Sequence, residues 1–319
     1  MGAAVTALIT GAGGFAGHHL VKLLSQQTDW RLVEFVRQTD SVAPRQQRQR
    51  IPGDIRDGDL IRELLEDERP KYVFHLAAAI PPAPPSTVFS VNVAGTATLL
   101  NAIAETCPQA TVLSVGSDAQ YGWQDATRLP TPETAPMRPV GAYGLSKVFQ
   151  EMIARRFSKV RRLSIICVRP FNHVGPIQSD RFVVARLARQ IAEAEHGLRS
   201  SVVELRNREA MRDFTDVRDI VDGYLRLVLR GRPGTVYNLG SGIPRRIADV
   251  ANVLSRLARI PITFCSTGDT RDGEVSITHC DNRRVRARTG WRPSIPIEQT
   301  LADTLDHWRT VVGTDALAP

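Results

Sequence analysis

A tyrosine and a lysine four residues apart, Tyr143 and Lys147 in GAYGLSK, are well suited to proton transfer. Positions i and i+4 of a helix share one face, so the phenol and the ammonium can point into one cleft. A phenol with an unperturbed pKa of about 10 exchanges protons poorly at neutral pH, but a neighbouring cation lowers that pKa. Ser117, at the end of a predicted strand in SVGSDAQYG, could hydrogen-bond a substrate carbonyl. We therefore expect Ser117, Tyr143 and Lys147 to be catalytic.

The segment TGAGGFAG places Gly11, Gly14 and Gly17 between a strand-like segment (5–10) and a helix-like segment (18–24). In dinucleotide-binding folds such glycines allow a tight turn, close approach of the backbone to a pyrophosphate, and close packing of helix on strand. The helix that begins near Gly14 would direct its free N–H groups at the phosphates. A glycine turn without a ligand is the alternative. Since YxxxK also arises by chance, the two motifs together predict a nicotinamide-dependent enzyme.

The end of the second predicted strand (31–36) indicates which cofactor is used. An acidic residue usually binds the ribose of NAD at this place, whereas here Arg37 follows the strand. Because arginine can pair with a 2′-phosphate, NADP(H) is favoured and NAD(H) stays possible; Arg37 could also be an ordinary surface residue. Glu34 would reach the ribose only if the strand boundary is wrong by two residues. Asp54, in GDI, could accept a hydrogen bond from the adenine amine or only form a turn.

Strands and helices alternate in the sequence. Strand-like segments lie at 5–10, 31–36, 72–76, 111–115 and 163–168, with helical segments such as 92–105 and 143–157 between them. This alternation predicts an α/β protein with a Rossmann-type, doubly wound parallel sheet, which binds ligands at the carboxyl edge of its strands.

After residue 171 the sequence changes to charged helices (180–196) and a basic segment (199–212). We therefore expect a smaller C-terminal α/β substrate-binding domain. The predicted domains are 1–172 with 213–242 for the dinucleotide, and 173–212 with 243–319 for the substrate.

Composition restricts the classes of function. The chain has 319 residues and a formal net charge of +8, but its arginines are dispersed and no nucleic-acid motif accompanies them. We expect an anionic small molecule as the partner rather than a nucleic acid. The apolar runs are shorter than the roughly 18 residues of a membrane span, and no basic region precedes the first strand, so we expect no membrane span, no secretory signal and a cytoplasmic location. The cysteines lack ligand spacing, which predicts reduced thiols and no metal site.

Over essentially its whole length the chain resembles the extended short-chain dehydrogenase/reductase family of nucleotide-sugar enzymes. The resemblance lies in TGAGGFAG, GDI, HLAA (75–78), NVAGT (92–96), SVGSDAQYG, YGLSK, RPFNHVGP (169–176) and RDFTDVRDIV (212–221). It implies that Ser117, Tyr143 and Lys147 are the catalytic residues, with Lys147 also binding the nicotinamide ribose, and that His75 lines the cofactor channel. The cofactor-binding residues expected from the motifs and the resemblance are Gly11, Gly14, Phe15, Gly17, Arg37, Asp54, Ile55, Leu76, Ala77, Ala78, Asn92, Tyr143, Lys147 and Pro170.

The resemblance also implies a substrate. The segments RPFNHVGP, AMRDFTDVRDIVDGY, NLGSGIPRRI and GWRPSIPIEQTL are similar to those of family members that reduce GDP-linked 4-keto-6-deoxyhexoses. We expect NAD(P)H-dependent reduction of the C4 ketone of such a sugar, with GDP-4-keto-6-deoxy-D-mannose to GDP-D-rhamnose favoured. The expected substrate-binding residues are Ser117, Asp118, Asn172 (sugar), Arg212 (diphosphate), and Arg271 and Glu274 (phosphate and nucleoside ribose). Taken singly, Arg212 or Arg271 could be a surface ion-pair residue.

Other functions stay open. Ala119 stands where the family's 4,6-dehydratases carry a glutamate base, which disfavours dehydration, and the short proline-rich stretch 79–90 leaves the hexose undecided. A nucleotide-sugar 4-epimerase with tightly bound NAD would use the same catalytic residues, and a non-catalytic dinucleotide sensor would use only the fold. The family implies a homodimer that pairs 92–105 and 143–157 with their copies, although the apolar faces of both could be ordinary core.

Overall fold

Strands and helices alternate in the computed structural model, which describes residues 5–37, 48–122, 124, 128–266 and 277–315. The helices are α1 (Phe15–Gln27), α2 (Gly58–Glu68), α3 (Pro85–Phe89), α4 (Gly95–Thr106), α5 (Gly141–Val160), α6 (Val183–Glu195), α7 (Val217–Arg230), α8 (Ile247–Leu257), α9 (Arg283–Thr289) and α10 (Ile297–Asp315). The strands are β1 (Thr6–Thr10), β2 (Arg31–Val36), β3 (Arg48–Pro52), β4 (Tyr72–His75), β5 (Thr111–Val115), β6 (Ser164–Pro170), β7 (His173–Val174), β8 (Val202–Leu205), β9 (Met211–Asp213), β10 (Thr215–Asp216), β11 (Val236–Leu239), β12 (Pro244–Arg246), β13 (Thr263–Ser266) and β14 (Ile277–Thr278).

A seven-stranded sheet forms the centre of the fold, in the order β11-β6-β5-β4-β1-β2-β3. All neighbouring strands in it are parallel. Its inner strands are runs of apolar residues that are buried on both faces, as in β2 (RLVEFV), where every residue after Arg31 is buried. The predicted Rossmann-type sheet is therefore confirmed. The winding reverses between β1 and β4, and the carboxyl ends of these two strands leave the crevice in which such sheets bind ligands.

Helices cover both faces of this sheet. On one face α1 and α7 bury Leu20, Leu24 and Tyr224 against β1 and its neighbours. On the other face α2, α4 and α5 bury Leu65 and Leu99. Each fully buried aliphatic side chain contributes roughly 1.5–3 kcal/mol to the free energy of unfolding. The two apolar layers therefore hold the strand ends, and the loops that leave them, in fixed positions.

A further hydrophobic core lies in the C-terminal part of the chain. It is formed mainly by α6, α8 and α10, with Ile191, Leu254 and Leu305 fully buried. The short strands β9, β12 and β14 form one of its small sheets. The carboxylate of Asp213 ties β9 to the turn after β11, because it accepts hydrogen bonds from the backbone N–H groups of Ser241, Gly242 and Cys280. This part is thereby anchored at the carboxyl edge of the central sheet.

One continuous helix, Pro85–Thr106, joins α3 to α4 through a π-helical turn at Ser90–Ala94. Among the described residues it is the helix with the length and mean hydropathy (1.4) to cross a membrane. Buried helices in the cores of globular proteins have the same properties, and 44% of its most apolar stretch is inside the protein, so this is weak evidence for a span. In the fold it packs against α2 and α5.

Candidate active site

The glycine turn follows β1 at the crevice. Gly11 has a φ of +74°, and a Cβ there would lie 2.7 Å from the backbone nitrogen of Ala77. Gly17 packs α1 onto the turn, since a Cβ there would lie 2.2 Å from the carbonyl oxygen of Gly11. Gly14 is the N-cap of α1 and makes no side-chain capping bond, so the first-turn N–H groups can bind an anion. These features suit the pyrophosphate of a dinucleotide, the group that the sequence predicts here.

The second strand ends at Val36 as predicted, and Arg37 follows it with an exposed side chain. Glu34 is only 1% exposed, and its carboxylate pairs with Arg48 at 2.5 Å and Arg50 at 3.0 Å on β3. The possibility that Glu34 reaches a ribose is therefore wrong, because two arginines of the neighbouring strand already hold it. Within the part of the chain that the structure describes, Arg37 is then the charged residue that directly follows β2.

Asp54 and Ile55 follow β3. The carboxylate of Asp54 accepts hydrogen bonds from the backbone N–H and the guanidinium of Arg56, which hold the pKa of Asp54 below its usual range. Asp54 thus forms the turn that was the alternative to an adenine contact, and that contact stays a prediction. Ile55 is buried against α4, where a Cβ on Gly95 would lie 2.6 Å from its Cγ2.

The segment after β4 lies beside the glycine turn, with the backbone N–H of Leu76 bonded to the carbonyl oxygen of Thr10. Ala77 is partly buried and Ala78 is exposed. His75 is fully enclosed between the hydroxyls of Thr10 and Thr96, and burial lowers its pKa to about 3, so it is neutral at physiological pH.

The amide of Asn92 bonds to both backbone groups of Ala79 and to Ser146, so its polar atoms already have partners. Both His75 and Asn92 therefore brace the cofactor crevice, and neither presents a free polar atom to it.

Tyr143 and Lys147 lie on the first turns of α5, which packs against β6 and the turn that follows β5. The ammonium of Lys147 is 2% exposed and donates to the carbonyl oxygen of Val115 at 2.9 Å. It lies 6.0 Å from the centre of the Tyr143 ring. A Cβ on Gly144 would lie 2.6 Å from the carbonyl oxygen of Ala119, so a glycine is needed where α5 meets the loop after β5. The predicted face of α5 therefore does meet the predicted strand end.

Ser117 begins a single 3-10 turn, Asp118–Gln120, directly after β5. Its backbone N–H donates to Oε1 of Gln120 at 2.9 Å, and its hydroxyl donates to Asp118 at 3.2 Å. Burial raises the pKa of Asp118 to about 6, and the hydrogen bond from Ser117 and the charge of Arg212 oppose that rise. The turn thus fixes the serine hydroxyl beside the phenol of Tyr143.

The structure corrects one expectation about the phenol. Burial raises the pKa of Tyr143 to about 12, and a hydrogen bond with Ser117 opposes this only in part. Burial also lowers the pKa of Lys147 to about 7. The predicted lowering of the phenol's pKa by Lys147 is therefore wrong for this arrangement, because loss of solvent dominates and Lys147 is not among the groups that act on the phenol's pKa.

The predicted substrate residues that the structure describes lie near the same edge of the sheet. Asn172 follows β6, and its buried Oδ1 has no hydrogen-bond partner in the described part of the chain, as expected for an atom that contacts a ligand. Arg212, on β9, bonds to the carbonyl oxygen of Met211 and lies close enough to Asp118 to affect its pKa. Pro170 ends β6, and Phe15 stacks on His173 with ring centres 5.6 Å apart. Arg271 and Glu274 lie outside the described residues.

Sequence reasoning missed a layer of polar residues behind the candidate catalytic residues. Gln150 accepts a hydrogen bond from Lys147 at 2.8 Å. Glu151 pairs with Arg169 at 2.6 Å and accepts from the amide of Gln120, which holds the backbone of Ser117. Gln150 and Glu151 are three and four residues after Lys147, so the helical period that linked Tyr143 to Lys147 could have identified them.

The sequence matches the NAD dependent epimerase/dehydratase family over residues 7–240. The chain belongs to this family, and it is an NAD(P)-dependent oxidoreductase of the extended short-chain dehydrogenase/reductase type. It is 32% identical to GDP-6-deoxy-D-mannose reductase of Pseudomonas aeruginosa over 95% of this chain and 97% of that protein. It is 27% identical to GDP-6-deoxy-D-talose 4-dehydrogenase of Aggregatibacter actinomycetemcomitans over 79% of each chain. The structure of RMD from Pseudomonas aeruginosa complexed with NADPH superimposes with a TM-score of 0.86 at 31% identity, covering 97% of this chain and 100% of that one.

Proposed function

We propose that the protein reduces the C4 ketone of a GDP-linked 4-keto-6-deoxyhexose, with GDP-4-keto-6-deoxy-D-mannose as substrate and GDP-D-rhamnose as product. The observation that carries the proposal is the meeting of Ser117, Tyr143 and Lys147 at the carboxyl edge of the sheet, beside the glycine turn. The 32% identity with a protein named GDP-6-deoxy-D-mannose reductase supports this choice of sugar. Ala119, in place of a glutamate base, favours reduction over dehydration.

The proposed roles follow from the geometry. The hydroxyl of Ser117 donates a hydrogen bond to the C4 oxygen and fixes the ketone against the phenol. Reduced nicotinamide, when bound, supplies the hydride that C4 receives. Tyr143 gives its proton to the C4 oxygen, so that the ketone becomes a secondary alcohol. The ammonium of Lys147 stabilises the phenolate that is left until solvent returns the proton.

We propose NADPH as the reductant. Arg37 is the exposed cation at the end of β2, where it can pair with a 2′-phosphate. Glu34, the acid of this strand, is held by Arg48 and Arg50. The bound NADPH of the similar Pseudomonas aeruginosa structure supports the same choice.

We propose that the substrate's diphosphate binds between the sheet edge and the C-terminal part of the chain. Arg212 on β9 and Asn172 after β6 are both partly buried, and the charge of Arg212 reaches Asp118 in the Ser117 turn. A guanidinium suits a diphosphate because it offers paired donors. Arg271 and Glu274 are proposed for the phosphate and the nucleoside ribose from the sequence alone.

We also propose a homodimer formed through α5. Leu145, Phe149, Met152 and Val160 recur at helical spacing, and between 39% and 55% of each is exposed. Monomeric proteins rarely leave such a stripe open to solvent. A second copy that packs its own α5 on this face would bury it in a two-fold symmetric interface.

The decisive experiment is to incubate the purified protein with NADPH and a panel of GDP-, dTDP- and UDP-4-keto-6-deoxy sugars while following the absorbance of the reduced nicotinamide. We expect oxidation of NADPH with the GDP-linked sugar and formation of a 6-deoxyhexose. Stoichiometric NAD in the purified protein, with turnover of UDP-glucose or UDP-galactose without added cofactor, would instead indicate a 4-epimerase. Turnover of none of these sugars, with dinucleotide still bound, would indicate a sensor.

A further inference from the structure

The ammonium of Lys147 is held by two acceptors on the protein. Its Nζ lies 2.9 Å from the carbonyl oxygen of Val115 and 2.8 Å from Oε1 of Gln150, one helical turn further along α5. Lys147 is 2% exposed and Gln150 is 1% exposed. Because an ammonium has three N–H donors, these contacts use two of them and leave one for a ligand or the phenol.

Gln150 is itself fixed by the end of β5. Its Nε2 lies 3.2 Å from the carbonyl oxygen of Val115 and 3.3 Å from Oγ of Ser114. A flipped amide would place its NH₂ group against the ammonium, two donors face to face, so the lysine and the strand together determine its orientation. The amide oxygen therefore has a fixed place next to Nζ.

We propose that Gln150 is a positioning residue, whose amide oxygen holds the Lys147 ammonium at the end of β5 and keeps it charged while Tyr143 transfers its proton. This role rests on the proposed function only for its effect on the reaction rate. The contact itself is a property of the folded chain.

The surroundings of Lys147 explain why an acceptor is needed there. His75 on β4 lies close enough for Lys147 to help lower its pKa, although burial is the larger cause. Tyr143 lies on the same helix and Asp118, in the turn after β5, acts on Tyr143; burial raises the pKa of both. Glu151, next to Gln150, pairs with Arg169 instead.

A neutral amide therefore suits this position. It stabilises the cation by a hydrogen bond and leaves the positive field at Tyr143 intact, whereas a carboxylate would cancel that field. This difference in charge makes the role of Gln150 testable.

Two substitutions should move the pKa of Lys147 in opposite directions. Gln150→Leu removes the acceptor, so the ammonium is less stable and its pKa falls; Gln150→Glu places a carboxylate there, so its pKa rises. We expect about a tenfold change in the proton-binding constant in each direction, or about one pH unit. The lysines of the chain are Lys22, Lys71, Lys147 and Lys159, so NMR titration of ¹³C-lysine-labelled protein without cofactor gives few signals. A Lys147→Met sample assigns the signal of Lys147.

The same variants should move the pH dependence of ketone reduction. The ratio kcat/KM for NADPH reports groups of the free enzyme, and it should fall as Lys147 loses its proton. That fall should come at lower pH in Gln150→Leu and at higher pH in Gln150→Glu. Gln190→Leu is the matched control: Gln190 is a buried glutamine of α6 whose Oε1 accepts from the backbone of Glu204, and its loss should move neither quantity.

The outcomes separate the two proposals. An unchanged Lys147 titration in both Gln150 variants would overturn the positioning role, and so would a moved titration with an unmoved pH profile of reduction. Should Gln150→Leu fail to fold, the nearly isosteric Gln150→Glu still decides. A wild-type protein that reduces none of the sugars would contradict the proposed function, while the NMR titration would still test the contact.

Discussion

At the residue scale, the chemistry of the site depends on how burial shifts the pKa values of a phenol and an ammonium, whose ionised forms carry opposite charges. Burial raises the pKa of Tyr143 to about 12 and lowers that of Lys147 to about 7. A phenol with the higher value keeps its proton at neutral pH, which suits a donor in ketone reduction. The reverse oxidation would need the phenolate, which is scarce at that pH. The arrangement therefore favours the proposed direction.

Removing the phenolic oxygen should abolish proton donation and leave cofactor binding nearly unchanged. We expect Tyr143→Phe to lower kcat by about 10²- to 10⁴-fold, the usual contribution of a general acid, and to leave the Kd of NADPH nearly unchanged. Initial rates and fluorescence titrations measure the two quantities. Tyr72→Phe, on a tyrosine that stacks on Trp30 at the start of β4, is the control and should keep full activity. A fully active Tyr143→Phe enzyme would contradict the mechanism.

The proposed preference for NADPH rests on one side chain, Arg37. We expect Arg37→Ala to weaken NADPH binding by about 10- to 100-fold, because a hydrogen bond to a charged group is worth about 1.5–3 kcal/mol, and to leave NADH binding unchanged. Arg31→Ala, at the opposite end of β2 where the side chain pairs with Glu68, should affect neither cofactor. Fluorescence titration with both cofactors provides the measurement. Equal losses of affinity for NADPH and NADH would show that Arg37 does not recognise the 2′-phosphate.

At the element scale, α5 buries polar residues and exposes apolar ones, the reverse of an ordinary surface helix. Its buried residues include Ser146, Lys147, Gln150 and Glu151, while apolar side chains such as Phe149 are exposed. Buried polar groups are tolerated because each has partners: Lys147 and Gln150 bond to β5, Glu151 bonds to Arg169 on β6, and Ser146 bonds to Asn92. The helix thus connects the candidate catalytic residues to the core through hydrogen bonds in addition to the apolar packing of Ala154.

The distance between α5 and the Ser117 turn should be sensitive to a single methyl group. A Cβ on Gly144 would lie 2.6 Å from the carbonyl oxygen of Ala119, so we expect Gly144→Ala to lower the free energy of unfolding by about 1–3 kcal/mol and to lower kcat as the turn moves. Urea denaturation and initial rates measure these effects.

Gly58→Ala is the matched control for this substitution. A Cβ at Gly58 would lie 3.6 Å from Cγ2 of Thr98, which is ordinary contact. Helix propensity alone would make alanine stabilising by up to about 1 kcal/mol at either position. A stabilised Gly144→Ala protein with normal kcat would therefore show that the close approach does not matter.

At the scale of the whole molecule, two features determine where the candidate active site lies. The order of the central sheet brings the ends of β1, β4 and β5 to one crevice, and Asp213 anchors the C-terminal part beside it. The apolar stripe of α5 faces outward and is not used by either feature. This separation would let the proposed dimer use the face of α5 opposite to the one that carries Tyr143 and Lys147.

The proposed dimer can be tested by placing a charge on the stripe. We expect wild-type protein to sediment as a dimer and Phe149→Glu as a folded monomer, because burying a carboxylate without a partner in an apolar interface is costly. Leu229→Glu changes an equally accessible leucine on α7 and should leave the dimer intact. Analytical ultracentrifugation with circular dichroism distinguishes dissociation from unfolding. A monomeric wild-type protein would overturn the proposal.

Much of the fold and the main catalytic candidates could be predicted from the sequence because they depend on local patterns. Apolar runs such as 31–36 and 111–115 become buried parallel strands, and glycine spacing after β1 determines a turn that other residues cannot adopt. The spacing of Tyr143 and Lys147 places both on one helical face whatever surrounds them. By itself the sequence therefore determined the sheet, the turn and the helix face of the site.

The tertiary structure alone decided how those residues behave. Glu34 is held by arginines of β3, and Gln150 bonds to β5. Both contacts join elements that only the packing of the fold brings together. The pKa of Tyr143 rises rather than falls because desolvation depends on all the elements that enclose the phenol, which no local spacing encodes. Sequence patterns thus specify which groups meet, and packing decides their charge states and partners.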